Sequence, residues 1–237
     1  MRGVEAAVTN AGGTFGKELF AFLQELSENN NKGWFEANKA RYETAVREPA
    51  REFIRRMGPR ITPIAPHLTA DDRKVGGSLM RVYRDVRFSH DKTPYKTNMG
   101  IQFRHDAGKD VHAPGLYVHA EADDTFVGAG MWHPNGPSLR QIRARIAAEP
   151  KRWERIMAET EFARRFTLAG ESLKTAPRDY AKDDPMITDL RRKDFIAVTE
   201  IRRSDVLADD FEDRVIECLM IAQPFMRFLC DAIGEEL

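Results

Sequence analysis

Three short segments that alternate side chains of opposite character, separated by brief turns, constrain this chain most. In residues 99–104, Ile101 and Phe103 alternate with Gln102 and Arg104. In residues 116–121, Leu116, Val118 and Ala120 alternate with Tyr117, His119 and Glu121. In residues 125–131, Phe126, Gly128 and Gly130 fall on one side and Val127, Ala129 and Met131 on the other. A period of two belongs to strands, whose successive side chains point to opposite faces. Gly108 and Asp123-Asp124 supply turn chemistry between them, so the spacing predicts an antiparallel meander. Residues 195–201 alternate in the same way and are expected to join that sheet. Gly128 and Gly130 share a strand face, where a bare patch admits a packed neighbour, a bend or a ligand; packing is the expectation.

The flanking sequence has a helical period instead. Thr14 is placed to cap a helix bearing Phe15, Leu19, Phe22, Leu23 and Leu26 on one stripe. Asn29-Asn30-Asn31 is expected to stop it through the left-handed cap conformation that Asn tolerates. A second stripe runs through Trp34, Phe35, Asn38, Tyr42 and Val46. A third, opened by Pro49, carries Phe53, Ile54, Met57 and Ile61 before Pro59, Pro63 and Pro66 fray or end it. Beyond the sheet, Asn135 or Ser138 begins one helix and Pro150 another, residues 170–193 read as loop with short helices, and residues 211–229 form an amphipathic helix bent at Pro224.

This order predicts an α+β fold: after a mobile stretch 1–13, one domain over residues 14–237, with a mainly antiparallel sheet of about five strands covered by N- and C-terminal helices. Its parts are helical (14–66), sheet-rich (79–132), helices and loops (135–192), a strand (194–201) and helical again (204–234). A chain of 237 residues buries roughly 70–75% of its unfolded surface and needs no covalent staples. Its two cysteines, Cys218 and Cys230, have no CxxC spacing, so a disulfide framework is not expected and a reducing, cytoplasmic location fits. No apolar run reaches membrane-span length, and the start is too short and weakly apolar for a signal peptide.

Charge is the informative part of the composition. The whole chain balances 37 basic against 37 acidic residues, yet residues 73–104 hold eight basic residues and only two acids, Asp85 and Asp91. A neutral total argues against a dedicated non-specific nucleic-acid binder; the local excess points to an anion. Residues 204–237, with nine acids and two arginines, could offset it by packing against it or by facing solvent. Read as a strand, residues 81–88 put Arg81, Tyr83, Asp85 and Arg87 on one face and Val82, Arg84, Val86 and Phe88 on the other. Ser89-His90-Asp91-Lys92-Thr93-Pro94 then reads as a fixed turn. Guanidinium forks and ammonium groups suit carboxylate or phosphate. Arg81, Arg84, Arg87, Lys92, Tyr95 and Lys96 are therefore the candidate ligand-binding residues, with Asp85 and Asp91 supporting them, and Lys193 could join them.

The run from Arg84 to Thr97, Arg-Asp-x-Arg-Phe-Ser-x-Asp-Lys-Thr-Pro-Tyr-Lys-Thr, resembles the signature of a family of conserved hypothetical proteins catalogued as domain of unknown function 2461. Phe22-Leu23-x-x-Leu26, Asn29-Asn30 and Trp34-Phe35 resemble its opening, and Gly128-Ala129-Gly130 and Leu139-x-x-Ile142-Arg143 resemble later segments. The likeness spans roughly residues 15–230, and it implies a stand-alone domain without assigned catalytic residues. Departures are small: His90 in a variable slot and Met131-Trp132 after the glycines.

Other chemistry is thinly signalled. The six histidines (67, 90, 105, 112, 119 and 133) fall in no metal-ligand spacing, although His105, His112 and His119 could converge across a hairpin; no metal and no cofactor is expected. There is no G-x-S-x-G. Asp85 or Asp91 could be a general base that surrounding cations hold ionised, with salt bridging the stronger expectation. Val75-Gly76-Gly77-Ser78 lacks either phosphate-loop pattern and reads as a connector. Trp34 and Tyr42 read as core, and Asn29 and Asn30 as caps and turns. Three functions follow: a site for a small anionic ligand, a nucleic-acid module in which Tyr83, Phe88 and Tyr95 stack between cations, or a structural or protein-interaction domain whose motif is a buried ion-pair network. Neither a reaction nor an oligomeric state is legible.

Overall fold

The alternating segments pair in the expected register. The computed structural model describes residues 13–87, 89–107 and 114–237; the expected mobile start thus lies, apart from Gly13, outside the described residues, as do Phe88, Gly108 and His112. Strands β2 (Met99–His105), β3 (Gly115–Ala120) and β4 (Thr125–Met131) form the antiparallel meander, with Ile101 opposite Val118 and Val118 opposite Val127. The late strand β6 (Phe195–Glu200) pairs with β4, and two short strands, β1 (Leu68–Thr69) and β5 (Thr167–Ala169), extend the edges. Among the described residues the sheet thus has six strands, all antiparallel, in the order β1-β2-β3-β4-β6-β5. The chain is a single α+β domain.

Period two sends Ile101, Phe103, Leu116, Val118, Val127, Ala129, Phe195 and Ala197 to one face, where all are fully buried. Helices cover that face. They are α1 (Glu18–Glu28), α2 (Lys32–Ala37), α3 (Lys39–Tyr42), α4 (Glu48–Ile61), α5 (Gly136–Ala148), α6 (Pro150–Met157), α7 (Thr160–Arg165), α8 (Ile187–Leu190), α9 (Arg203–Val206) and α10 (Phe211–Ile233). Phe53 of α4 bridges the layers, 6.3 Å from the Phe103 ring and stacked at 5.4 Å on Phe211. Trp153 of α6 packs against Phe195, Phe225 and Phe228, and its indole N–H donates to Asp189 at 2.9 Å, so a buried polar edge is satisfied. Burial of this apolar face is what holds the sheet to its helices.

Several local expectations are corrected. Thr14 does not cap α1; its hydroxyl donates to Glu212 at 2.7 Å, tying the residues just before α1 to α10. Asn29 ends α1 with φ −128°, not left-handed, while Asn31 caps α2 by accepting from Trp34 N. The second and third stripes run on through a π-turn at Glu43–Arg47, and Pro59 sits inside α4 without ending it. Asn135 caps α5 and Pro150 opens α6 as read. Residues 81–87, the described part of the expected strand 81–88, are not a strand. They alternate in exposure, but among the described residues their bridge pairing is limited to Tyr83 with Tyr95. Among the described residues the C-terminal acids do not pair with the basic hairpin: Glu212 and Asp213 pair with Arg56 and Arg60 of α4, Asp231 with Arg152 and Glu217 with Arg165, and Asp209, Asp210, Glu235 and Glu236 face solvent.

Candidate functional site

Among the described residues no helix lines the other face of the sheet, and its side chains make a cleft of about 440 Å³. Gly128 and Gly130 lie on its floor with Phe126, Ile196 and Val198. Close approach requires glycine at the second of these positions and favours it at the first. At Gly130, φ is +122° and a Cβ would meet Phe195 O at 2.2 Å; at Gly128 a Cβ would press on Ile196 at 3.2 Å, the packing expected from sequence. Tyr117 and His119 of β3 form the polar end. The His119 ring stacks on Phe126 at 4.6 Å, and its Nδ1 lies 3.1 Å from the Tyr117 hydroxyl and 3.3 Å from Asn98 Nδ2. Burial lowers the His119 pKa and pushes the Tyr117 hydroxyl up to about 12.

The basic hairpin, residues 79–98, supplies the adjoining wall. Two backbone bonds clip it shut: Arg84 N donates to Pro94 O at 2.9 Å and Lys96 N to Val82 O at 2.7 Å. The Tyr95 ring is buried and stacked on Phe35 at 4.1 Å. Asn30, expected to cap or turn rather than to donate to a ligand, grips the Tyr95 backbone on both its N–H and its C=O. The motif's aromatic and its asparagine partner are therefore the hinge by which the hairpin is held to α1 and α2.

Its charged residues divide into paired and unpaired. Arg84 bonds Asp91 and Thr93, and Arg87 takes Asp85 bidentately through Nε and Nη2 at 2.9 and 2.6 Å. These guanidinium groups, with backbone donors behind them, hold Asp85 and Asp91 down to about 2. Both carboxylates stay ionised, but they are weak bases. The pairs lie at the surface, with Arg87 77% exposed, so the network is not buried. Lys92 donates to Val86 O at 2.9 Å.

Lys96 is different. Half-buried, it has Met80 Sδ 3.9 Å from its ammonium. Among the described residues, no carboxylate lies within salt-bridge distance of Lys96 or of the exposed Arg81. Burial, and then Arg81 nearby, draws the Lys96 pKa below its ordinary value. Lys96 and Asn98 line both the cleft and a second hollow of about 340 Å³, which Arg84, Asp91, Tyr95 and Glu121 also line. A half-desolvated cation between two hollows can hold an anion that enters from either side.

Of the remaining expectations, Lys193 pairs with Glu171 at 2.8 Å and does not join the hairpin. His105 and His119 do not converge: the register puts His119 opposite Gly100, five residues from His105 along β2, and His112 lies outside the described residues. Of the stacking trio, Tyr95 faces Phe35 inside the protein and Tyr83 is about half exposed. Sequence reasoning missed two features. Fully buried Asp194 accepts from His133 N and Glu171 N, each at 2.7 Å, and faces His133 Nδ1 at 2.8 Å. It fixes the far rim of the cleft, where Trp132 and Gly170 stand and His133 has φ +49°. An acid set just before an apolar strand was its only signal. The second is the approach of His119, Glu121 and Asp124, whose candidate ligand atoms all lie within 4.8 Å of one another.

Among the described residues no helix is long and apolar enough to cross a membrane. The family model described as conserved hypothetical protein (DUF2461) matches residues 18–228. No curated protein and no solved structure matches.

Proposed function

We propose that this chain, which belongs to the conserved hypothetical protein family DUF2461 across residues 18–228, binds a small amphipathic anion on the uncovered face of its sheet. The carboxylate or phosphate sits at Lys96, with Arg81 beside it, and the apolar body lies on the floor made by Phe126, Gly128, Ile196 and Val198. Tyr117 and Asn98 fix its orientation by hydrogen bonds. The observation that carries this reading is the half-buried Lys96 ammonium without an acidic partner among the described residues, set in the wall shared by two hollows. A concave, mostly apolar site with a few convergent polar groups is the usual form of a small-molecule site. Arg84, Arg87, Lys92 and Tyr95 act mainly by shaping the hairpin that presents Lys96.

The test is a thermal-shift screen of nucleotides, sugar phosphates and small organic acids on the native chain and on Lys96→Met. The reading expects hits that raise the melting temperature of the native chain and leave the variant unmoved. Hits that stabilise both proteins equally would place the anion elsewhere. A scaffold role for the motif is the second reading, favoured by the grip of Asn30 on Tyr95; the two are compatible, because a rigid hairpin is what positions the lysine. The nucleic-acid reading is less well supported, since the Tyr95 ring is buried.

A further inference from the structure

The β3–β4 hairpin carries a second constellation that the anion-binding reading does not use. His119 and Glu121 stand two apart at the end of β3, and Asp124 faces them across the turn. His119 Nε2 is shielded from solvent and makes no hydrogen bond. It faces Glu121 Oε2 at 3.5 Å and Asp124 Oδ2 at 4.0 Å, both beyond good hydrogen-bond range. Among the described residues neither carboxylate has a lysine or arginine within salt-bridge distance, although arginine pairs hold many of the acids in this chain. Two carboxylates and a shielded imidazole nitrogen thus converge with no lysine or arginine among the described residues to balance the charge.

We propose that His119, Glu121 and Asp124 bind one divalent transition-metal cation, of the zinc or manganese class, through His119 Nε2 and one oxygen of each carboxylate. Two atoms each about 2.1 Å from one ion at a tetrahedral angle are about 3.4 Å apart; the His119–Glu121 pair at 3.5 Å already fits, and the exposed Asp124 side chain, 4.0 Å from His119 Nε2, moves inward to complete the site. The surrounding groups orient the ligands. Nδ1 of His119 lies 3.1 Å from the Tyr117 hydroxyl, which can accept its proton and leave Nε2 free for metal. Asn98 lies at 3.3 Å, and its carboxamide can present either oxygen or nitrogen by rotation. The Thr97 hydroxyl donates to the other Glu121 oxygen. Such outer contacts raise ligand basicity and hold geometry. An imidazole ligand favours zinc over calcium and magnesium, which take oxygen ligands, and the two carboxylates suit manganese. Three protein ligands leave coordination positions open, and Glu121 also borders the hollow shared with Lys96.

The experiment titrates the full chain with zinc chloride and with manganese chloride near neutral pH, by calorimetry and by loss of the free-manganese paramagnetic resonance signal. The native protein should bind one equivalent, with a higher melting temperature that a chelator reverses. Glu121→Gln and Asp124→Asn should each weaken binding by at least about tenfold. Asp124 is 63% exposed, so its variant keeps the fold and the comparison. Lys96→Met should leave metal affinity unchanged, which separates this proposal from the anion site. No binding of either metal, or native affinity in both carboxylate variants, would overturn it, the latter by placing the ion elsewhere.

Discussion

The Asn30 carboxamide brackets the backbone of Tyr95, 65 residues away in sequence: Nδ2 donates to Tyr95 O at 2.9 Å and Oδ1 accepts from Tyr95 N at 3.1 Å. One side chain thereby satisfies both backbone groups of a residue whose ring is stacked in the core, and so ties the basic hairpin to the helical layer.

Removing that bracket leaves two partly buried backbone groups unpaired. Asn30→Ala should therefore cost about 1–3 kcal/mol of unfolding free energy, read from the midpoint of chemical denaturation. Asn30→Asp should do no better, because a carboxylate cannot donate to Tyr95 O. A loss within the scatter of ordinary surface substitutions would mean that the hairpin is held by the Tyr95–Phe35 stack alone.

The exposed pairs should behave in the opposite way. Arg87→Ala should move the melting temperature by no more than about 2 °C, since exposed ion pairs contribute little. A sharp fall is what a buried structural network would give. The pairs should still show in acid. Asp91 has a folded pKa near 2 against an ordinary value of 3.8, so its contribution is complete above pH 3.8 and is lost as pH falls towards 2. Asp91→Asn should flatten the stability profile across that window and lower it by a constant amount above it, converging with the native profile near pH 2. A profile with an unchanged acid limb would contradict the pairing.

Cys218 and Cys230 are free, buried, and pushed by burial up to about 11 and about 12. A thiol reagent at mildly alkaline pH should label neither in the folded protein and both in denaturant. Because the folded pKa values are raised from 9.0, their contribution to stability is complete below pH 9 and is lost as pH rises to about 11–12. Rapid labelling of the native protein would show that the α10 face is open.

The sheet was legible because its cues are local. Alternation gives β2, β3 and β4 directly, and Pro49, Asn135 and Pro150 mark helix starts by their own backbone chemistry. The uncovered face was not legible, because a period of two tells which residues share a face but not which face the helices choose. Residues 81–87 misled for a related reason: they alternate like a strand, yet among the described residues they close a single bridge, Tyr83 with Tyr95. The anion candidates were found by charge density, but charge density does not separate Arg84 and Arg87, which face their own acids, from Lys96, which does not. The approach of Asp124 to His119 follows from hairpin register, which the sequence implies only once the turn is placed at residues 121–124.

The central claim is that Lys96 anchors an anion in the sheet-face cleft, and the most direct measurement is the affinity of one screened ligand for the native chain, Lys96→Met and Arg87→Ala. The account predicts a loss of at least about tenfold in Lys96→Met, in line with a charge-assisted contact, and native affinity in Arg87→Ala. Native affinity in Lys96→Met together with loss in Arg87→Ala would contradict it.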